Sequence, residues 1–284
     1  MGKNNRFKQS QILFLIIILI FALSGCRDNS SETTSTTTLE TTVIASDEIT
    51  VESSAELSTD AQSSDQEALD EAHEAWVKAN AVKWSLGNAF IDYVGNNRAY
   101  DWYIDQAHTG DHSSDNCGPA AVTMAIKWVN GSFSSTAEDA RDDYVSGGGW
   151  WTTDEISDYL DDYDITYEFY DMPVETKESN INTLMAIIDS GNLALVCTEM
   201  KYIPYNDGDN TRVNRFYSFD SGHFFIIKGY VMVDNKTYFE VYDPNNWDAT
   251  YEDGEPKGKD RYYEAGAVVD AISYWWPYVF SIFP

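Results

Sequence analysis

The chain has 284 residues, 43% of them hydrophobic, which is enough for one sizeable domain with additional segments. Its 47 acidic residues against 18 basic ones give a net charge of −29 at neutral pH. Such a surface repels nucleic acid and anionic headgroups, so nucleic-acid binding is disfavoured and basic substrates are mildly favoured.

Lys3, Arg6 and Lys8 precede an unbroken apolar run of 12 residues, Ile12–Leu23. A bilayer span needs about 20 such residues, so the layout is that of a secretory signal. The run ends in Leu23-Ser24-Gly25-Cys26. This resembles the lipobox of bacterial lipoproteins, in which the cysteine becomes the lipidated first residue. Residues 1–25 are thus expected to be a signal peptide and Cys26 the lipid anchor. The mature chain would sit on the extracytoplasmic face of the cell membrane, held by lipid. An ordinary secretory signal followed by a chance cysteine is the plainer alternative. Three basic and no acidic residues precede Cys26, so maturation leaves the chain more acidic still.

Residues 30–64 contain 18 Ser or Thr in 35 positions, with no Gly or Pro. Little there buries enough surface to offset ordering, so residues 26–64 read as a disordered tether. Its coil reach is roughly 35 Å or more. From Asp65 the pattern changes. Leu69, Ala72, Trp76 and Ala79 recur at helical spacing, which predicts a helix over 66–86 carrying His73 as a surface or packing histidine. Residues 65–99 read as a helical extension, followed by a main domain over 100–284.

Within that domain helices are predicted at 118–129, 136–145, 153–163 and 180–190. Thr136 or Ser135 would cap the second, and Thr152 or Thr153, ahead of Asp154-Glu155, the third. Beyond Gly191 strands follow: Leu193–Cys197, then Phe224–Ile227 and Tyr238–Tyr242 flanking a hairpin turn at Asp234-Asn235. The aromatic tail Ile272–Pro284 reads as a closing core strand, with an exposed aromatic surface as the alternative. Helices first and antiparallel strands later make an α+β fold.

Of three cysteines, Cys26 is assigned to lipid, leaving Cys117 and Cys197. A Cys117–Cys197 disulfide is the plain reading for an oxidising compartment. Against it stands the setting of Cys117, where Gly118 and Pro119 open a helix. A thiol there faces unsatisfied N–H groups and the positive dipole end, which favours the thiolate. Cys197, in an apolar strand, reads as a buried small hydrophobe. A nucleophile also needs a base. His108 and His112 lie in a polar loop, whereas His223 opens an apolar strand after a glycine, at the mouth of a cleft. Folding the hairpin about Asp234-Asn235 sets a residue near 246 opposite His223, with Asp243 about 10 Å along the strand. A bulge would close that gap, so Asp243, Asn245 and Asn246 are all candidates to orient the imidazole.

Taken in order, Gln106, Asp115-Asn116-Cys117-Gly118-Pro119-Ala120, Gly222-His223-Phe224 with Gly229-Tyr230, and Tyr242-Asp243-Pro244 form a specific set. They resemble the papain-like cysteine peptidases of the bacteriocin-processing (double-glycine) type and their broad bacterial relatives. The resemblance covers roughly residues 100–250. It implies a papain-like fold, with the cysteine at a helix start in a helical part and the histidine and aspartate on a C-terminal antiparallel sheet. It also implies Cys117 as nucleophile, His223 as general base and acid, Asp243 as the residue fixing the imidazole, and Gln106 as oxyanion donor with the Cys117 N–H. Here Gln106 precedes Cys117 by 11 residues, more than is usual in the family, so Asn116 is a second oxyanion candidate.

The expected reaction is hydrolysis of a peptide or amide bond through a thioester. Two alternatives stay open: transfer of the acyl group to an amine, as in a transpeptidase or transglutaminase, and a non-catalytic binding or adhesion module. Double-glycine leader cleavage fits poorly, because that activity belongs beside a cytoplasmic transporter domain. Expected partners are a peptide or protein substrate and the membrane through Cys26, with the chain a monomer. No cofactor and no metal are expected. Asp207-Gly208-Asp209-Asn210 lacks the spaced ligands of a calcium loop and reads as a surface turn. Gly147-Gly148-Gly149-Trp150-Trp151 reads either as a groove wall or as a loop whose tryptophans pack inward.

Overall fold

A computed structural model describes residues 56–172 and 176–284. The expected signal peptide, Cys26 and the tether as far as residue 55 lie outside the described residues. The first helix, α1, spans Glu56–Asn80. It starts earlier than the spacing of apolar residues predicts, so positions 56–64 are helical rather than tether. With no Gly or Pro among them, these residues extend a helix already stabilised downstream. The predicted end at 86 is also too late. After Asn80 the chain turns, with Leu86 N–H returning to Ala81 O and Ser85 at φ 69°.

Strand β1 (Phe90–Gly95) follows, then α2 (Cys117–Val129), α3 (Ala137–Asp143), α4 (Thr153–Asp162), β2 (Tyr167–Asp171) and α5 (Lys177–Asp189). The chain continues through β3 (Leu193–Glu199), β4 (Gly222–Val233), β5 (Lys236–Tyr242), β6 (Arg261–Glu264), α6 (Ala265–Trp275) and β7 (Tyr278–Ile282). The predicted caps form. Thr136 and Asp139 build a capping box on α3, and Thr152 and Glu155 build one on α4. Helix α5 begins at Lys177, before the predicted 180, because Thr176 caps it.

The strands make one antiparallel sheet in the order β2-β7-β3-β4-β5-β6. The long β4 organises it. Strand β5 runs along one edge of β4, while β3 and then β1 share the other. Residues 65–99 are therefore not a purely helical extension, since β1 is a strand of the main sheet. Trp84, Leu86 and Tyr93 pack with Val231 and Tyr262. The aromatic tail splits. Its first part ends α6, and Tyr278–Ile282 inserts between β2 and β3 as a buried strand.

Apolar side chains fill both faces of the sheet. On one face α2 and α4 pack through Met124, Trp128, Ile156 and Leu160 against Leu195, Phe224 and Ile226. On the other, α5 and α6 pack through Leu184, Ile188, Val268 and Ile272 against Val196, Phe225 and Val241. This helix–sheet–helix arrangement fixes the edge at which β3, β4 and α2 begin or end together.

Two features of β4–β5 set the site. The hairpin turn Asp234-Asn235 has both residues at positive φ, 50° and 61°, as a two-residue turn of right-handed twist requires. Between Ile227 and Gly229 the register then shifts by one residue. A side chain at Gly229 would meet Val94 O at 2.7 Å, so the bulge closes only around glycine.

Beside the bulge, Lys228 is fully buried, with Nζ 2.9 Å from both Glu240 Oε2 and Asp260 Oδ1 and 2.7 Å from Asn97 Oδ1. Glu240 is buried too, and accepts from Tyr93, Tyr262 and His73 as well. Removing one partner from such a pair strands the opposite charge in the core. Lys228→Ala is expected to destabilise the fold by ~3–5 kcal/mol in urea unfolding, and a loss under ~1 kcal/mol would mean that water reaches Glu240.

Candidate active site

Cys117 is the first residue of α2. Helix formation here follows from the sequence: Pro119 lies in the first turn, where its missing N–H breaks no helical bond. Asn116 occupies the cap position but makes no cap bond. Its Nδ2 donates to Thr109 O and Oγ1 at 2.8 and 3.1 Å, and its Oδ1 accepts from Arg141 Nε at 2.7 Å. Asn116 is thus committed to bracing the loop, which removes it as a second oxyanion donor. The Gly118 N–H, left uncapped, and the Phe224 N–H both hydrogen-bond the Cys117 sulfur. A Cβ on Gly118 would lie 2.9 Å from Trp151 Cβ, so glycine is needed for this close approach.

His223 is the second residue of β4, held by pairing with Thr198, whose hydroxyl donates to His223 O at 3.1 Å. Its ring is buried beneath Tyr217 and Phe219. Nε2 lies 2.7 Å from Asp243 Oδ1, and the remaining nitrogen, Nδ1, is left for Cys117, to which the ring hydrogen-bonds. Continuing the shifted β4–β5 register sets Asp243 opposite Phe225. His223 and Asp243 therefore lie diagonally on one face of the sheet. Without the bulge Asp243 would point to the opposite face.

Asp243 is wholly buried and accepts four donors. Oδ1 takes His223 Nε2 and the Asn245 N–H at 2.9 Å; Oδ2 takes the hydroxyls of Tyr217, at 2.7 Å, and Tyr263. Burial pushes its carboxyl up, but the charge and hydrogen bond of His223 and the two tyrosine hydroxyls outweigh this and hold it below the usual range. Burial would likewise push the His223 imidazole down, yet Asp243 and then Cys117 raise it to about 10. For Cys117 burial acts upward, and the hydrogen bond and charge of His223, with the two backbone N–H groups, bring the thiol below its ordinary value. Cys197 behaves oppositely, since burial pushes its thiol far up. Both thiols are free, so the Cys117–Cys197 disulfide does not form.

Among the described residues, the side chains of Asn245 and Asn246 hydrogen-bond groups other than the imidazole. Asn245 Oδ1 accepts from Trp247 Nε1 at 2.6 Å, and Asn246 bridges Asp105 and the Gly258 N–H. Gln106 reaches the site in spite of the long spacing. Its N–H donates to Pro244 O at 2.9 Å, fixing it beside the end of β5. Its Nε2 donates one hydrogen to Ser113 O at 3.1 Å, and its buried Oε1 has no partner among the described residues. Asp105, which the sequence reading passed over, binds the two loops together. It accepts from the N–H groups of Ala107, Trp247 and Asp248 and from Asn246 Nδ2. The ten residues after Gln106 therefore bulge outward without displacing it.

These groups line a cleft of about 390 Å³ formed by Gln106, Ser114, Asp115, Cys117, Trp150, Phe219, Gly222, His223, Asn245 and Trp247. Both readings of the Gly147–Trp151 loop hold in part, because Trp150 faces the cleft while Trp151 is buried in the core. The other histidines lie elsewhere. His73 pairs with Glu240 at 2.8 Å, and His108 with Asp248 at 2.6 Å. Two acidic–histidine groups have metal-like spacing, His73/Glu240/Asp260 and Asp105/His108/Asp248. In the first, the Lys228 ammonium already lies against both carboxylates. In the second, the Asp105 carboxylate is taken up by N–H donors. Asp207–Asn210 is a surface segment.

No curated protein matches the chain. Among solved structures, a protein described as a C39-like peptidase from Bacillus anthracis aligns with TM-score 0.40 and 14% identity, over 68% of this chain and 98% of that one. Digestive procathepsin L 3 from the larval midgut of Tenebrio molitor aligns with TM-score 0.40 and 15% identity, over 69% and 71%. The model of the Peptidase_C39 like family matches residues 102–269, more than half of the chain and the whole stretch from Gln106 to Asp243. The chain belongs to that family.

Proposed function

We propose that this chain is a cysteine peptidase that cleaves peptide or amide bonds through a Cys117 thioester, carried on the outer face of a cell membrane by lipid at Cys26. The observation that carries the reading is the hydrogen-bonded series Cys117–His223–Asp243 at the floor of an open cleft. An inert buried cysteine has no use for an imidazole fixed by a carboxylate on its far side.

The Cys117 thiolate attacks the amide carbon, and a C–S bond forms as the carbonyl becomes an oxyanion. The Cys117 N–H and the second hydrogen on Gln106 Nε2 donate to that oxygen, each such donor being worth about 10²–10³ in rate. His223 Nδ1 gives its proton to the departing amine as the C–N bond breaks. Water, deprotonated at the same nitrogen, then hydrolyses the thioester and restores the pair. Asp243 keeps the proton on Nε2 throughout, and Tyr217 and Tyr263 keep Asp243 in place.

Two measurements test this. Alkylation of Cys117 by iodoacetamide, followed by peptide mass spectrometry, is expected to proceed well below the pH at which an ordinary thiol reacts, with Cys197 inert. His223→Ala removes the main influences that lower the thiol, leaving burial against the two backbone N–H groups, so labelling moves to higher pH. In Asp243→Asn the leading influence that raises the imidazole is gone, and the loss of the ion pair, set at about pH 10 in the native chain, moves downward. Labelling of Cys117 that follows an unperturbed thiol in all three proteins would leave a binding module instead of an enzyme. The second measurement concerns Tyr263→Phe, which removes a hydrogen bond to a buried carboxylate, a contribution of about 1.5–3 kcal/mol. A fall in kcat of roughly tenfold with KM little changed is expected, since the hydroxyl touches neither substrate nor sulfur. An unchanged kcat would remove the tyrosine from the positioning of His223.

A further inference from the structure

The mechanism uses only the floor of the cleft. Its upper walls carry three large aromatic side chains that are partly exposed: Trp150 at 53%, Trp247 at 48% and Phe219 at 42%. Each is held by its local backbone. The Trp247 N–H donates to Asp105 Oδ1 at 3.0 Å and its indole Nε1–H to Asn245 Oδ1 at 2.6 Å. Trp150 follows Gly148 and Gly149, at φ 82° and 105°, and the Gly149 N–H donates to Asp115 Oδ2 at 3.2 Å. The carbonyl of Phe219 accepts from Arg215 Nη1 at 2.8 Å. Three independent loops thus present ring surface to one cavity.

The charge of the same walls is one-sided. Cys117 and His223 form a couple whose charges cancel. Among the described residues that line the cleft, Asp115 is the one formal charge outside that couple, and neither Lys nor Arg is present. Arg141, the cation behind Asp115, is buried, donates to Asn116 Oδ1, Asp115 O and Val145 O, and lies within reach of the charges of Asp115 and Cys117 without itself lining the cavity. Aromatic faces with a carboxylate attract a cation through the ring quadrupole and by Coulomb interaction together. An acidic side chain would meet repulsion instead. A purely apolar residue would gain ring contact but no Coulomb attraction from the carboxylate.

We propose that Trp150, Trp247, Phe219 and Asp115 form a subsite for a cationic side chain, a lysine or arginine of the substrate close to the bond that is attacked. The role of this subsite in cleavage rests on the peptidase reading, but its binding does not, so the two can be tested apart. Blocked alanine-based hexapeptides carrying one Lys, one norleucine or one Glu at each position in turn are titrated against the full chain bearing Cys117→Ala, by calorimetry and tryptophan fluorescence. At one position Lys is expected to bind ~10-fold tighter than norleucine, with Glu weakest. The advantage of Lys should disappear in Asp115→Asn, shrink in Trp247→Leu, and diminish with added salt. Equal affinity for Lys and norleucine, binding of none of the peptides, or a preference for a neutral peptidoglycan fragment over all of them overturns the subsite. Hydrolysis of the same peptides by the unmodified chain is measured separately. Lys-selective binding without cleavage overturns the peptidase reading and leaves the subsite standing.

Discussion

A carboxylate without access to water, Asp243, is the constraint around which this structure is arranged. Burying a charge is costly unless every lone pair finds a donor. Here the donors come from four places: the imidazole on β4, the chain just past β5, the loop that leads into β4, and β6. Those segments are distant in sequence and meet only when the sheet is complete. The imidazole is consequently fixed by the folded core and not by local contacts. Cys117, in turn, receives its hydrogen bond from a ring that has little freedom to turn away.

That dependence explains why one residue of register decides whether Asp243 meets His223. The hairpin turn at Asp234-Asn235 is legible from the sequence, because only residues tolerant of positive φ suit it. Counting outward from the turn reaches residue 246, not Asp243. The bulge between Ile227 and Gly229 supplies the missing shift, and it reverses which face the later residues of β4 present. Gly229 is visible in the sequence as a glycine inside a strand, a usual mark of a bulge. What could not be read is that its Cα packs against the backbone of β1, a strand that the sequence pattern did not reveal.

The legible parts are those with local causes. Helices α3 and α4 announce themselves through caps and periodicity, and α2 through periodicity and a Gly118-Pro119 start. Strands β1, β2 and β6 are short and take their stability from partners far along the chain, so their own residues carry little signal. Helix α6 merges into the aromatic tail, and its apolar run reads equally well as strand. Tyr217, Tyr263 and Asp105 escaped notice for a related reason. Tyrosines are numerous in this chain, and nothing beside these two marks them as donors to a carboxylate on another strand. Lys228 and Glu240 sit in apolar strands where a charge looks like an outward-facing residue, yet they find each other across the hairpin.

The division between scaffold and loops also accounts for the spacing of Gln106. A glutamine that must reach one point in space needs a fixed anchor more than a fixed distance along the chain. Pro244 O and the Asp105 carboxylate provide that anchor, and both act before the extra residues begin. The insertion is then free to build the rim of the cleft, supplying Ser114 and Asp115 and buttressing the loop that carries Trp150. The core of the sheet determines the chemistry, and connecting segments determine what it meets. In this chain those segments bring aromatic surface and the Asp115 carboxylate to the edge of the cleft whose floor holds Cys117 and His223.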